Sequence, residues 1–199
     1  MIFWILKHMK RIGIFLDKDG TLLQDVPYNV ALERIRMVPR AEYALALLAQ
    51  IDVDLFIISN QPGVALGYFP ISALANVHAE MNRLFTQHGA RLAGFYFCPH
   101  HPDGVIGEYA LRCNCRKPAP GLILQAATEN DIDLSRSWMI GDILHDVEAG
   151  RRAGCGTILI DNGNETEWQL SPLRRPDYIA SDLEDAVRHI VRRGTGALV

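Results

Sequence analysis

The sequence predicts an α/β protein, a parallel sheet flanked by helices, and three observations predict it. Five short apolar runs recur along the 199 residues, each too short for a helix and mostly bounded by polar or glycine signals. Between them lie segments whose apolar residues keep helical spacing. Three long irregular segments, 22–39, 98–121 and 161–176, each follow a run or its end, on the side where open α/β sheets place ligands.

The runs in order are RIGIFL (11–16), VDLFIIS (53–59), GFYF (94–97), WMIG (138–141) and GTILI (156–160). Leu74, Val77, Met81, Leu84 and Phe85 predict a helix between the second and third. Leu183, Val187 and Ile190 predict a last helix behind a capping box of Ser181 with Glu184. Alternation of strand and helix favours a sheet covered on both faces.

Composition sets the frame. With 49% hydrophobic and 22% charged residues, the chain is long enough to bury a substantial core, and residues 1–199 read as one domain with insertions and no internal repeat or linker. A net charge of -3 gives no global attraction to nucleic acid or an anionic membrane, and basic residues form no long stripe with interleaved aromatics. Residues 1–9 read as an N-terminal extension, with Met9 an alternative start. Their apolar stretch is far shorter than the roughly 20 residues that span a bilayer, and no cleavage site follows, so a cytoplasmic protein is expected. The tail RRGTGALV is expected to fray.

The run FLDKDGTLL ends in Asp17 and Asp19 around a lysine, followed by Gly20. An aspartate is ionised at neutral pH and needs no base to attack phosphorus, while a second carboxylate two residues on can manage protons. The plain alternative is a turn. IISNQPG then places Ser59 after the second strand, where its hydroxyl and the neighbouring backbone amides could hold phosphate oxygens. CRKP supplies Lys117, and GDILHD supplies Asp142 and Asp146. Asp17, Asp19 and Asp142 would repel one another and a phosphate dianion unless Mg2+ and a lysine were present.

Cys98, His100, Cys113 and Cys115 form two pairs spaced two apart, so each can present two ligands to one tetrahedral ion; His101 competes with His100. Three thiolates and an imidazole read as structural zinc that pins loop 98–121 and leads into Arg116 and Lys117; reduced cysteines and surface histidines are the alternative. Cys155 reads as a small buried hydrophobe.

The ordered set D-x-D-G-T, serine after a strand, lysine and G-D-x-x-x-D, over about residues 11–160, resembles the haloacid dehalogenase (HAD) superfamily. The resemblance implies a Rossmann-like fold without a cap domain, Asp17 as nucleophile and Asp19 as general acid/base. It further implies Ser59, Asn60, Arg116 and Lys117 as phosphate or substrate holders. Mg2+ would sit on Asp17, Asp142 and the backbone carbonyl of Asp19, with Asp146 orienting Lys117 or tuning the metal. It also favours His100 over His101.

Within the superfamily, SNQPGVALGYF, YFCPHHPDG and CNCRKPAPG resemble the capless, zinc-loop heptose-1,7-bisphosphate phosphatases. That implies removal of the C7 phosphate of a heptose bisphosphate in the pathway to nucleotide-activated heptose for lipopolysaccharide. The related histidinol-phosphate phosphatases, or a sugar monophosphate phosphatase, are the alternative within enzymes; a non-catalytic zinc-stabilised binding module is the alternative outside them. The partner expected is thus a small-molecule sugar phosphate, and a monomer suits the pattern. Leu66 and Ile143 stand where the heptose family usually carries Arg and Lys, which leaves Arg116 as the most obvious remaining partner for a second phosphate. The DNGNETEW loop also departs from the family's pattern.

Overall fold

A computed structural model describes residues 10–194; the extension 1–9 and the last five residues of the tail lie outside the described residues. Six strands, β1 (Gly13–Leu16), β2 (Asp54–Asn60), β3 (Leu92–Cys98), β4 (Trp138–Gly141), β5 (Gly156–Ile160) and β6 (Tyr178–Ala180), form one parallel sheet in the order β3-β2-β1-β4-β5-β6. The helices are α1 (Ala41–Leu48), α2 (Ala73–Gln87), α3 (Gly121–Asn130), α4 (Leu144–Ala153) and α5 (Leu183–Arg192).

Side-chain alternation divides the strands between two cores. Ile14, Leu16, Leu55, Ile57, Ile140 and Ile158 pack on one face with Leu45 and Leu48 of α1, Met81 and Phe85 of α2, and Val187 and Ile190 of α5. Phe15, Phe56, Ile58 and Met139 pack on the other with Leu122 and Ile123 of α3 and Ala149 of α4. Burial on both faces explains why the strands read as unbroken apolar runs. The predicted helix over Leu74 to Phe85 is α2, with Leu74, Val77, Met81 and Phe85 buried.

Two expectations are corrected. The sheet has a sixth strand, β6, at its edge. The last helix is capped one residue later than predicted: Asp182 accepts from Asp185 N (2.8 Å), and Asp185 accepts from Ser181 N (3.2 Å). Glu184 instead binds Arg40 (2.6 Å) and Arg188 (2.6 Å).

The strand order reverses between β1 and β4, which lie side by side with Leu16 opposite Ile140. A crevice opens at such a point because the connections from the two strands leave toward opposite faces. Every sequence-predicted carboxylate lies at or beyond the carboxyl ends of these two strands.

Candidate active site

Asp17 follows β1 directly and remains in register, its N–H donating to Ile140 O (2.9 Å). Asp142 follows β4, and Ser59 and Asn60 end β2. A cleft of about 330 Å³ is lined by Asp17, Asp19, Asn60, Lys117 and Asp142, among others. Ser59 is 1% exposed and lies beneath this lining, its Oγ accepting from Gln61 Nε2 (2.8 Å).

Lys117 organises the floor. Its ammonium reaches Asp17 Oδ1, Asp146 Oδ1 (2.7 Å) and Ile58 O (2.8 Å), which uses all three hydrogens. Burial alone would push the lysine's pKa down, but Asp146 and Asp17 hold it above its ordinary value, so it stays a cation. Asn60 fixes the lysine's backbone from both sides, accepting from Lys117 N (3.0 Å) and donating to Lys117 O (3.1 Å).

Asp146 is fully buried. It reaches Lys117 because Gly141 has no side chain: a Cβ there would stand 2.2 Å from the Asp146 carboxylate. Asp146 also accepts from Ile143 N (3.3 Å) at the start of α4. Gly20 makes the matching concession in the turn after β1, with φ +84° and Asp142 Oδ2 2.0 Å from where its Cβ would be.

The carboxylates repel. Burial first, and then Asp17 and Asp146, push Asp142 up to about 7, against hydrogen bonds from Asn164 and Thr21. Burial at the cleft floor also raises Asp19, against Lys18. Oxygens of Asp17, Asp142 and Asp146 converge within 4.8 Å of one another. Lys117 takes up Asp146, which leaves Asp17 and Asp142 facing the cleft as hard oxygen donors of the type Mg2+ prefers.

Several polar residues here were assigned no role from the sequence, although Thr21 closes the D-x-D-G-T motif. Lys18, 2% exposed, donates to Asp19 Oδ1 (2.8 Å), and Gln61 donates to Asp19 Oδ2 (3.2 Å). Asn164 donates to Asp142 Oδ2 (2.7 Å), and Thr21 donates to Oδ1 (3.1 Å). Asn162 donates to Gly20 O (2.7 Å), and Glu165 accepts from Leu144 N (2.7 Å), capping α4 from a distant loop. The sequence signals were the lysine lodged between two aspartates, the threonine that closes D-x-D-G-T and the glutamine adjoining Ser59-Asn60. Nothing in the sequence marks the loop asparagines.

Arg116 is not among the cleft-lining residues. It faces a neighbouring cavity of about 740 Å³ with His145 and Arg152, and Lys117 lines both spaces. Ile143 does line the cleft.

The four predicted zinc donors come together. Sγ of Cys98, Cys113 and Cys115 stand 3.1 to 3.5 Å apart, and His100 Nδ1 lies 3.3 Å from Cys115 Sγ and 3.6 Å from Cys98 Sγ. A tetrahedral ion with bonds of about 2.3 Å would need sulfur separations of roughly 3.8 Å, so a small relaxation suffices. His101 instead accepts from Asp103 N (3.2 Å), which leaves His100 as the imidazole of the set. Burial raises the Cys98 and Cys115 thiols; at Cys113 burial is outweighed by hydrogen bonds from Cys115 and Arg116 N–H. Three crowded sulfurs that resist ionising together fit one soft, doubly charged cation.

Comparison with known proteins agrees with this geometry. The HAD-hydrolase-like family matches residues 114–186. The chain is 37% identical over 182 residues to the D-glycero-beta-D-manno-heptose-1,7-bisphosphate 7-phosphatase of Yersinia pestis, covering 91% of this chain and 96% of that one. It is 38% identical over 189 residues to the corresponding D-glycero-D-manno enzyme of Thermosynechococcus vestitus, covering 92% and 96%. The crystal structure of D,D-heptose 1,7-bisphosphate phosphatase from B. bronchiseptica, complexed with magnesium and phosphate, superposes with a TM-score of 0.75 at 28% identity, covering 92% and 99%. Switch-point carboxylates, a buried lysine and this degree of likeness lead to one conclusion: the chain belongs to the HAD-like hydrolases, as a phosphoric monoester hydrolase of the heptose-1,7-bisphosphate 7-phosphatase family.

Proposed function

We propose that the protein removes the C7 phosphate of D-glycero-D-manno-heptose 1,7-bisphosphate through an aspartyl-phosphate on Asp17. The carrying observation is Asp17 at the end of β1, held by Lys117 and facing the cleft beside Asp142. One oxygen of Asp17 forms a bond to phosphorus as the ester P–O bond breaks, and Asp19 gives its proton to the leaving alkoxide. Its raised pKa, set by burial against Lys18, suits an acid. Asp19 then takes a proton from water as the water attacks the acyl phosphate, releasing phosphate and restoring Asp17. Lys117, seated by Asn60 with Ser59 below, sets its positive charge beside Asp17 where the phosphoryl oxygens would gather, and Asp146 keeps the lysine charged and in place.

Mg2+, when bound by Asp17, Asp142 and the Asp19 carbonyl, would neutralise the transferring group's charge. Zn2+ on Cys98, His100, Cys113 and Cys115 would fix the 98–121 insertion within a single domain. A cytoplasmic setting suits that reduced cysteine set. No helix among the described residues is long and apolar enough to cross a membrane.

Ile143 in the cleft, and Arg116 in the neighbouring cavity, support a second reading, a sugar monophosphate as substrate. Phosphate release with Mg2+ from both anomers of heptose 1,7-bisphosphate, from heptose 1- and 7-phosphate and from histidinol phosphate separates these. The expected result is preference for one bisphosphate anomer. Preference for a monophosphate selects the second reading, and preference for histidinol phosphate overturns both. Asp17→Asn is expected to lower turnover at least a thousandfold with the fold intact; retained turnover would exclude the aspartyl-phosphate.

A further inference from the structure

Among the described residues lining the cleft, Lys117 is the only cation, and its three hydrogens go to Asp17, Asp146 and Ile58 O. It serves the reacting phosphoryl group, so the walls hold no charged donor for the rest of the substrate. Those walls are Pro27, Tyr28, Pro62 and Ile143, with the Asp25 carboxylate and the amides of Asn29, Gln61 and Asn164. Contacts to a neutral or anionic leaving group must therefore come from uncharged groups.

Tyr28 stands out in this wall. It is 47% exposed and packs tilted against Tyr68, itself 63% exposed, with ring centroids 4.4 Å apart and planes inclined by 31°. Tyr43 and Trp168 are exposed as well, but Tyr28 and Tyr68 form a contacting pair and Tyr28 lines the cleft. Tyr28 also has φ +55°, the left-handed region that costs a bulky residue energy and is retained where its surroundings enforce it. Here the following asparagine enforces it: Asn29 N donates to Val26 O (3.2 Å), and its Oδ1 accepts from Ala31 N (3.1 Å). Tyr68 is held just as firmly. Its N–H donates to Gly63 O (2.8 Å), and Ala65 O in the same turn accepts from Val105 N (2.8 Å) and Ile106 N (3.0 Å) of the cysteine-bearing loop.

We infer that Tyr28, backed by Tyr68, is the specificity platform of the cleft, and that its open ring stacks on the ring of a cyclic sugar leaving group. The inference rests on the hydrolase reading and adds to it the part of the substrate being read: the apolar face of a ring, beside the phosphate. A rigid exposed aromatic supplies contact area at little entropic cost, and stacking needs no charge.

The test compares a heptose 7-phosphate with glycerol 1-phosphate, both esters of primary alcohols, only one of them cyclic. Tyr28→Ala is expected to lower kcat/KM for the heptose ester at least tenfold more than for the glycerol ester, chiefly through KM, with Tyr28→Trp restoring most of the loss. Tyr68→Ala should show a smaller loss with the same selectivity. Equal losses for the two esters, or a Tyr28→Trp variant as poor as Tyr28→Ala, would overturn the platform. Calorimetric binding of heptose 7-phosphate with Mg2+ to Asp17→Asn protein, with and without Tyr28→Ala, separates this inference from the hydrolase reading. A tenfold weaker affinity in the double variant supports the platform even if the parent protein releases phosphate from none of the esters, the bisphosphate included, an outcome that would sink the hydrolase reading alone. Unchanged affinity would overturn the platform even if turnover is normal.

Discussion

Asp142 has a donor on each oxygen, Thr21 on Oδ1 and Asn164 on Oδ2, and its burial beside two other aspartates makes its ionised form costly. Two donors fix the plane of a carboxylate while leaving it a lone pair per oxygen for a cation. Asn164 therefore acts through Asp142. Asn164→Ala is expected to weaken Mg2+ binding about tenfold, the scale typical of losing a hydrogen bond to a metal ligand, and Asn164→Gln to recover part of it. Calorimetric titration of Mg2+ checks this without reference to turnover. An unchanged affinity would make the contact a loop anchor only.

At the scale of elements, segment 99–120 contributes almost nothing to the two main cores beyond Cys113 and Cys115, which pack against the α3 side. Its order is therefore expected to come from the proposed zinc donors, its bonds to the 61–68 turn and, at its end, the anchoring of Lys117 by Asn60, Asp17 and Asp146. Cys115→Ser should therefore raise hydrogen exchange in 99–120 and in 61–68 while β1 and β4 keep their protection, and turnover should fall with it. Protection unchanged in those segments would show that the loop stands without its ion. The last helix gives a pH prediction. His189 stacks on Tyr178 at 3.9 Å and meets Trp138 edge-on at 5.9 Å. Burial, aided by Arg193 and Arg192 and opposed by Asp185 and Asp177, holds its imidazole below the ordinary 6.5. The folded pKa lies below the unfolded one, so His189's contribution is full above about pH 6.5 and is lost as pH falls through 6.5 toward the folded value. His189→Phe is expected to lose less Tm than the parent between pH 7.5 and 5.5. Parallel losses would refute the assignment.

At the scale of the whole molecule, the parallel sheet and its reactive edge were legible because burial on both faces writes strands as apolar runs, and because Asp17 and Asp142 follow two of them directly and Ser59 lies at the end of a third, with Lys117 legible from CRKP instead. Strand β6 was not: it has three residues, and its central Ile179 is 51% exposed, so it carries no buried run. Asn162 and Asn164 were illegible for another reason. Single amides in a loop leave no pattern, and Asn162 meets its partner Gly20 across 142 positions. Arg116 follows a metal donor in sequence, yet the fold turns it toward the neighbouring cavity. The topology also concentrates charge. Asp17, Asp19, Asp25 and Asp142 line one cleft against a single lysine, in a chain that is already net negative, so a phosphate anion meets repulsion there until a divalent cation is added. Stabilisation by orthophosphate should thus be conditional on Mg2+. At a hundred times its dissociation constant, bound phosphate would add about 2.7 kcal/mol, or roughly 5 to 10 °C in Tm for a chain of this size. Thermal unfolding with phosphate alone, Mg2+ alone and both together should show a rise with both that exceeds the sum of the separate shifts. If phosphate alone raised Tm as much as the pair, the anion would be bound away from the carboxylates, and the switch-point cleft would lose its place as the phosphoryl site.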